Sequence, residues 1–310
     1  MQFIKRGFLV VFIIFAACLS CNRTPQLNFT TGPEVDLDLD AIIKRGYINV
    51  LIDNNSISYF IYKGQPMGYE YELLNYLAKE LNVTLKIKVT SGVERAIDQL
   101  NTGAGDIIAF PLTVTKDRTK YVSFTKPLLN THQVLVQRKP DNWRRMTEDD
   151  INDELIRSPV DLVGKEVYIL PGTSFELRLR HLSEEIGGDI LIRRDTSSAE
   201  SESLIRKVAM GEISYTVADH MIANVNAHYY PNLDVSTPIS VMQQVAWATR
   251  KNSPELQNAI NKWLAKIKKE ATFAVIYNRY FKSPRTSLVR MQSDYSSLGG
   301  NKLSPYDTLI

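Results

Sequence analysis

Between Gly68 and Val89 the chain changes its hydrophobic period. In "GYEYELLNYLAKELNVTLKIKV", Leu73, Leu74, Leu77, Ala78 and Leu81 recur at helical spacing, and Val83, Leu85, Ile87 and Val89 then alternate with Thr84, Lys86 and Lys88. The switch falls at Asn82. A helix and a strand that each bury one face, joined by a short connection, predict crossover helices on a sheet. "VERAIDQLNTGAGDIIAF" repeats the scheme, with a stop at Gly103. "GKEVYILPGTSFELRLRHL", "GDILIRRD", "AESESLIRKVAMGE" and "ISYTVADHMIANVNAHYY" continue it, and "QQVAWATRK" adds a strand before two helical runs. The pattern predicts an α/β fold of two lobes whose hinge is a pair of crossing strands near 134–139 and 243–249. Lobe 1 is expected to span 39–137 plus 245–284 and lobe 2 to span 138–244, with a ligand site in the cleft.

The first twenty residues, "MQFIKRGFLVVFIIFAACLS", carry two positive charges, a short apolar run and small residues, the layout of an export leader. Both cysteines of the chain, Cys18 and Cys21, lie at its end, so the mature domain has no internal disulfide. "ACLSCN" is similar to a lipoprotein cleavage site, with Cys21 as the lipidated residue and Cys18 as the alternative. The expectation is a signal peptide over 1–21 and a periplasmic domain lipid-anchored to the outer membrane by a polar tether over 22–38. The formal net charge of +3 drops to about +1 without Lys5 and Arg6, which argues against nucleic acid as a partner.

The search for catalytic chemistry is mostly negative. His132, His181, His220 and His228 show no HExxH spacing and no pairing with cysteine, so no metal or cofactor is implied. Arg118 in "FPLTVTKDRTKYVSFTKPL" is more informative. It follows the apolar run "DIIAF" closely, and a planar guanidinium matches a carboxylate bidentately. Thr113 and Thr115 lie where the chain leaves a buried strand, at the mouth of an α/β crevice. The alternative is a structural arginine paired with Asp106 or Asp117.

Four blocks in register, "GQPMGYEYELLNYLAKELNV", "LNTGAGDIIAFPLTVTKDRTKYVSFTKPL", "GKEVYILPGTSFELRLRHL" and "GEISYTVADH", resemble the family 3 extracellular solute-binding proteins over roughly residues 40 to 282. That resemblance implies a periplasmic-binding-protein-like (type II) fold. It also implies that Arg118, Thr113 and Ser174 grip a ligand α-carboxylate and that Asp219 receives the α-ammonium. Glu70 stands where the family usually has aspartate. Asn54, Tyr59, Phe60 and Phe110 are candidates to read a side chain, Phe110 and Tyr59 foremost. A narrower set, including "LDLDAIIKRGYINVLID", "DNWRRM", "QQVAWATRKNSPEL" and "VIYNRYF", resembles the N-terminal module of the membrane-bound lytic transglycosylase F group. That implies a regulatory domain for an amino acid or muropeptide, acting on peptidoglycan through a catalytic domain of which 285–310 would be the linker and start. A free-standing receptor of an ABC transporter and a cyclohexadienyl dehydratase-like enzyme are the alternatives.

Overall fold

The computed structural model describes residues 35–197 and 201–283. The expected leader, both cysteines, most of the tether and the segment 285–310 lie outside the described residues. In chain order the first lobe contains α1 (Leu39–Arg45), β1 (Tyr47–Ile52), the hairpin β2 (Phe60–Tyr62) and β3 (Gln65–Met67), α2 (Tyr69–Glu80), β4 (Thr84–Val89), α3 (Val93–Asn101), β5 (Ile107–Thr113), β6 (Ser123–Phe124) and β7 (Leu129–Thr131). The second contains β8 (Gln133–Arg138), α4 (Glu148–Glu154), β9 (Glu166–Ile169), α5 (Ser174–Ile186), β10 (Leu191–Arg194), α6 (Ser201–Met210), β11 (Tyr215–Asp219), α7 (His220–Tyr229) and β12 (Leu233–Asp234). The chain then returns to the first lobe through β13 (Gln243–Thr249), α8 (Pro254–Ile267) and α9 (Ala271–Phe281).

The first sheet runs β4-β1-β5-β13-β6 with β7 also on β13, and the second runs β10-β9-β11-β8-β12. Strands β4, β1 and β5 are mutually parallel, as are β10, β9 and β11, while β13 and β8 run antiparallel to their neighbours. Alternation along each strand assigns its two faces to separate cores. Val50 and Ile52 of β1 pack with Leu73, Leu77 and Trp263, while Leu51 between them packs with Ile97, Leu100 and Ile108. In β8, Leu135 faces the cluster of Leu162, Val167 and Leu179, and Val134 and Val136 face that of Ile205 and Val208. The period switch seen in the sequence coincides with Asn82, which adopts a left-handed conformation at φ 54°.

The lobe boundary lies earlier than the sequence reading placed it. The apolar run "HQVLVQRK" was assigned to the first lobe as far as residue 137, but Gln133 to Gln137 pair in register with Asp219 to Tyr215 of β11. The run is therefore a strand of the second sheet. The chain passes between lobes at Thr131–Gln133 and again between Ile239 and Gln243. These two segments are bonded to each other: Gln133 N donates to Ser240 Oγ at 2.9 Å, and Gln133 O accepts the Ile239 amide at 2.8 Å.

A buried ion cluster fastens the first lobe. Asp106, fully buried, pairs with Arg45 and with Arg250 (3.1 Å), and accepts the Asn49 amide at 2.8 Å. The Arg250 guanidinium also donates to the carbonyls of Leu100 (3.1 Å), Gly105 and Leu37 (2.8 Å). Glycine at 105 lets this turn pack directly on β1, because a Cβ there would lie 2.4 Å from Leu51 Cγ. Asp38 adds a second tie: it accepts the Leu39 amide at the start of α1 and the Glu255 and Leu256 amides (3.0 and 2.8 Å) at the start of α8. Replacing Arg250 by methionine removes one of the two cations on a buried carboxylate and the donor to several buried carbonyls, and is expected to lower stability by about 3–5 kcal/mol. Urea unfolding measures this, and a loss below about 1 kcal/mol would contradict the role assigned to the cluster.

Candidate functional site

The parallel strands of both sheets end at one cavity of about 370 Å³ between the lobes. Beyond β1 lie Asp53 and Asn55, beyond β4 Thr90 and Ser91, and Phe110 to Thr113 occupy the end of β5. From the second lobe, β9 leads into Leu170–Phe175, β10 into Asp195, and β11 ends at Asp219. Carboxyl ends of parallel strands leave the loops free to turn around a ligand, which explains the position of the cavity.

Arg118 starts a single 3-10 turn after β5 and is only 5% exposed. Its Nη1 donates to the Thr113 carbonyl at 3.0 Å, and no carboxylate pairs with it among the described residues. The structural pairings left open by the sequence are taken elsewhere. Asp106 is held by Arg45 and Arg250, and Asp117 by Lys120 at 2.7 Å. Burial pulls the Arg118 pKa down to about 10, which leaves it charged at neutral pH.

Asp219 is the N-cap of α7. Its Oδ1 accepts the Met221 amide at 2.9 Å and the Thr131 hydroxyl at 3.0 Å. Desolvation pushes its pKa up to about 6, against the opposing pull of those hydrogen bonds. Ser174 is the first residue of α5, whose N-cap Thr173 makes no side-chain capping bond, and both residues line the cavity. Arg118, Thr113 and Phe110 from the first lobe and Ser174 and Asp219 from the second thus line the same cavity. Tyr59 does not line it: its ring packs edge-on against Tyr71 at 5.6 Å. Phe60 is wholly buried against Tyr280.

Several wall residues carry no recognisable spacing. Asp53, Asn55, Thr90 and Gln133 were missed by the sequence reading, although the first three follow strand ends and could be found from the crevice rule alone. Glu202, near the start of α6 in lobe 2, reaches across to lobe 1. It accepts the Ser56 amide at 3.1 Å and the Ser56 hydroxyl, and also Asn226 Nδ2 at 2.9 Å. Val225 of α7 is buried in the same cluster as Ile57 and Phe60 of the first lobe, so apolar packing accompanies this contact.

With the geometry in place, comparison with known proteins is decisive. Residues 48–283 match the profile of the bacterial extracellular solute-binding proteins, family 3. The chain belongs to this family. It is 37% identical over 241 residues to a membrane-bound lytic murein transglycosylase F of Desulfosudis oleivorans, an alignment covering 77% of this chain and 50% of that protein. The chain spans about half the length of the curated relatives it matches. Among solved structures, a mutant of ArgBP from T. maritima superposes with a TM-score of 0.66 at 26% identity, covering 80% of this chain and all of that one. An ancestral amino acid-binding protein, a precursor of cyclohexadienyl dehydratase, gives 0.64 at 28% identity over 78% of this chain and 98% of its own. The two-lobed periplasmic-binding-protein fold is thereby shown.

Glu70 and His220 do not line the cavity; His220 stacks on His132 at 4.5 Å beside the first crossing. No grouping of three or more metal-ligating side chains occurs among the described residues, and no helix among them is long and apolar enough to cross a membrane.

Glu70 is 2% exposed, its Oε2 has no hydrogen-bond partner among the described residues, and burial raises its pKa to about 8. A carboxyl whose folded pKa is raised binds more protons folded than unfolded, so its stabilising contribution is lost as pH climbs from about 4.5 to about 8. Glu70→Gln should therefore melt above wild type at pH 8 and close to it at pH 4.5. A gap that does not widen with pH would contradict this. For Glu202→Ala, small-angle scattering of the ligand-free protein is expected to show a larger radius of gyration, and an unchanged radius would rule out a role in holding the lobes together.

Proposed function

We propose that this chain is the non-catalytic solute-binding and regulatory module of a cell-wall protein of the lytic transglycosylase F kind. Its cleft takes the zwitterionic head of an amino acid or of a peptidoglycan stem peptide. The observation that carries the reading is Arg118: a buried guanidinium on the cavity wall, with a carbonyl and no carboxylate as its partner among the described residues. A ligand carboxylate supplies the missing countercharge, with Thr113 and Ser174 beside it, and Asp219 receives the ammonium from the other lobe. Binding groups from both lobes make occupancy and closure one event.

In this reading the domain sits in the periplasm, lipid-anchored at Cys21, or at Cys18, on the outer membrane, and it adjusts a peptidoglycan-cleaving domain that follows it. A structural link toward the C-terminal side supports regulation. Tyr280 Oη of α9 accepts the Gly68 amide at 3.0 Å and donates to Glu72, next to the loop that Glu202 holds. A second reading, a free-standing receptor, is favoured by the solved amino acid-binding proteins that align over nearly their whole length. A reading frame that continues into a lysozyme-like domain distinguishes the two.

Calorimetry of the chain against L-amino acids and stem peptides tests the cleft. Arg118→Ala is expected to weaken binding roughly a hundredfold or more, since it removes one partner of a buried charge pair. If wild type binds none of these ligands, the reading fails. Because the ammonium prefers ionised Asp219, affinity should also fall as pH drops below about 6. An affinity constant from pH 7 down to pH 5 would remove Asp219 from the site.

A further inference from the structure

We infer that Gln133 is a direct ligand contact, the second acceptor for the ammonium that Asp219 receives, and that it links the ligand to the hinge. This rests on the amino-acid reading of the cleft. Gln133 lies directly opposite Asp219 in the antiparallel pairing of β8 with β11. Residues so paired project from the same face with Cβ atoms about 5 Å apart, and both line the cavity. Gln133 is 2% exposed. Its Nε2 donates to Ser174 Oγ at 3.3 Å and to Gln243 Oε1 at 3.2 Å, which directs the amide oxygen away from both.

That oxygen, Gln133 Oε1, is buried and has no hydrogen-bond partner among the described residues. Tyr69 Oη and Trp247 Nε1 share this condition within the packed core, and Thr90 Oγ1 shares it on the cavity wall, but Thr90 follows β4 of the first lobe, whereas Gln133 is the wall residue paired with Asp219. A buried acceptor left unmade is unfavourable, and a donor arriving with the ligand removes the penalty. An ammonium brings three N–H donors. Asp219 Oδ1 is already engaged by Thr131 and Met221, which leaves Oδ2 for one of the three N–H groups and makes a neighbouring acceptor useful for another.

The position of Gln133 gives the contact a mechanical consequence. Its backbone is bonded to Ser240 and Ile239 of the second crossing segment, and its side chain to Gln243, the first residue of β13 in lobe 1. An ammonium held on Oε1 thus acts at the point where both crossings meet. Asp219 meets the first crossing through Thr131, and Gln133 meets the second through Ser240 and Gln243.

The test is calorimetry of the full chain, wild type, Gln133→Leu and Gln133→Glu, with L-arginine, L-glutamine and stem peptides as probes. Each amino acid that binds is paired with its des-amino counterpart, in which hydrogen replaces the ammonium. Gln133→Leu is expected to weaken the amino acid by about tenfold to a hundredfold and the des-amino acid by less than about threefold. Gln133→Glu, which keeps an acceptor, is expected to recover most of the loss, and melting curves check that both variants fold. Equal weakening of both compounds by Gln133→Leu would mean that Gln133 only positions Ser174, and unchanged affinity would mean that it touches nothing; either overturns the inference while leaving the cleft reading intact. Wild type binding none of the probes overturns both together.

Discussion

The buried pair of Asp106 and Arg250 holds the first lobe in register. Asp106 stands just before β5, the strand that delivers Phe110, Thr113 and Arg118 to the cavity, and Arg250 stands just after β13, the strand that returns from the second lobe. The same guanidinium takes the carbonyls of Leu37, Leu100 and Gly105, so the start of the folded chain and the end of α3 converge on it. Charges this deeply buried are stable only when every lone pair and N–H finds a partner, which makes the arrangement unforgiving of displacement. Since β13 continues from the second crossing, a fixed β13 gives the hinge one rigid side against which the other lobe can move.

Beyond that anchor, the cleft is organised by direction. Each parallel strand set presents its carboxyl ends to the same space, and the two sets contribute opposite charges: Arg118 from the first lobe and Asp219 from the second. Desolvation acts on both in the direction of their neutral forms, lowering the pKa of Arg118 and raising that of Asp219. A zwitterion placed between them reverses both penalties, and the same electrostatics that attract it favour closure. The Glu202 contact with Ser56 adds a protein-only link between the lobes, so their approach does not depend on the ligand alone.

Much of this organisation was legible in the sequence. The strands and helices announce themselves through the period switch at Asn82, the cap at Asp38 and the stops at Gly46 and Gly103, because these are local devices whose signals lie within a few residues of their effects. The clamp proposed for Arg118 comes from the family resemblance alone, since chemistry left Arg118 equally suited to pairing with Asp106 or Asp117. Tyr59 and Phe60 show the limit in the other direction. They flank a strand end, as wall residues do, yet the close passage of Gly68 against Ser58, where a Cβ would lie 2.1 Å from the Ser58 carbonyl oxygen, folds this loop back on itself, and both rings pack against protein.

The sequence by itself determined the class of fold and the order of its elements, because hydrophobic period and turn chemistry are properties of adjacent residues. Tertiary structure alone decided where the chain crosses between lobes, that no carboxylate among the described residues pairs with Arg118, and that Gln133 stands beside Asp219. Each of these depends on strand pairing across long separations. Gln133 and Asp219 are brought together by an antiparallel register that joins residues 86 positions apart in the chain, and nothing in the local pattern of either strand records its partner.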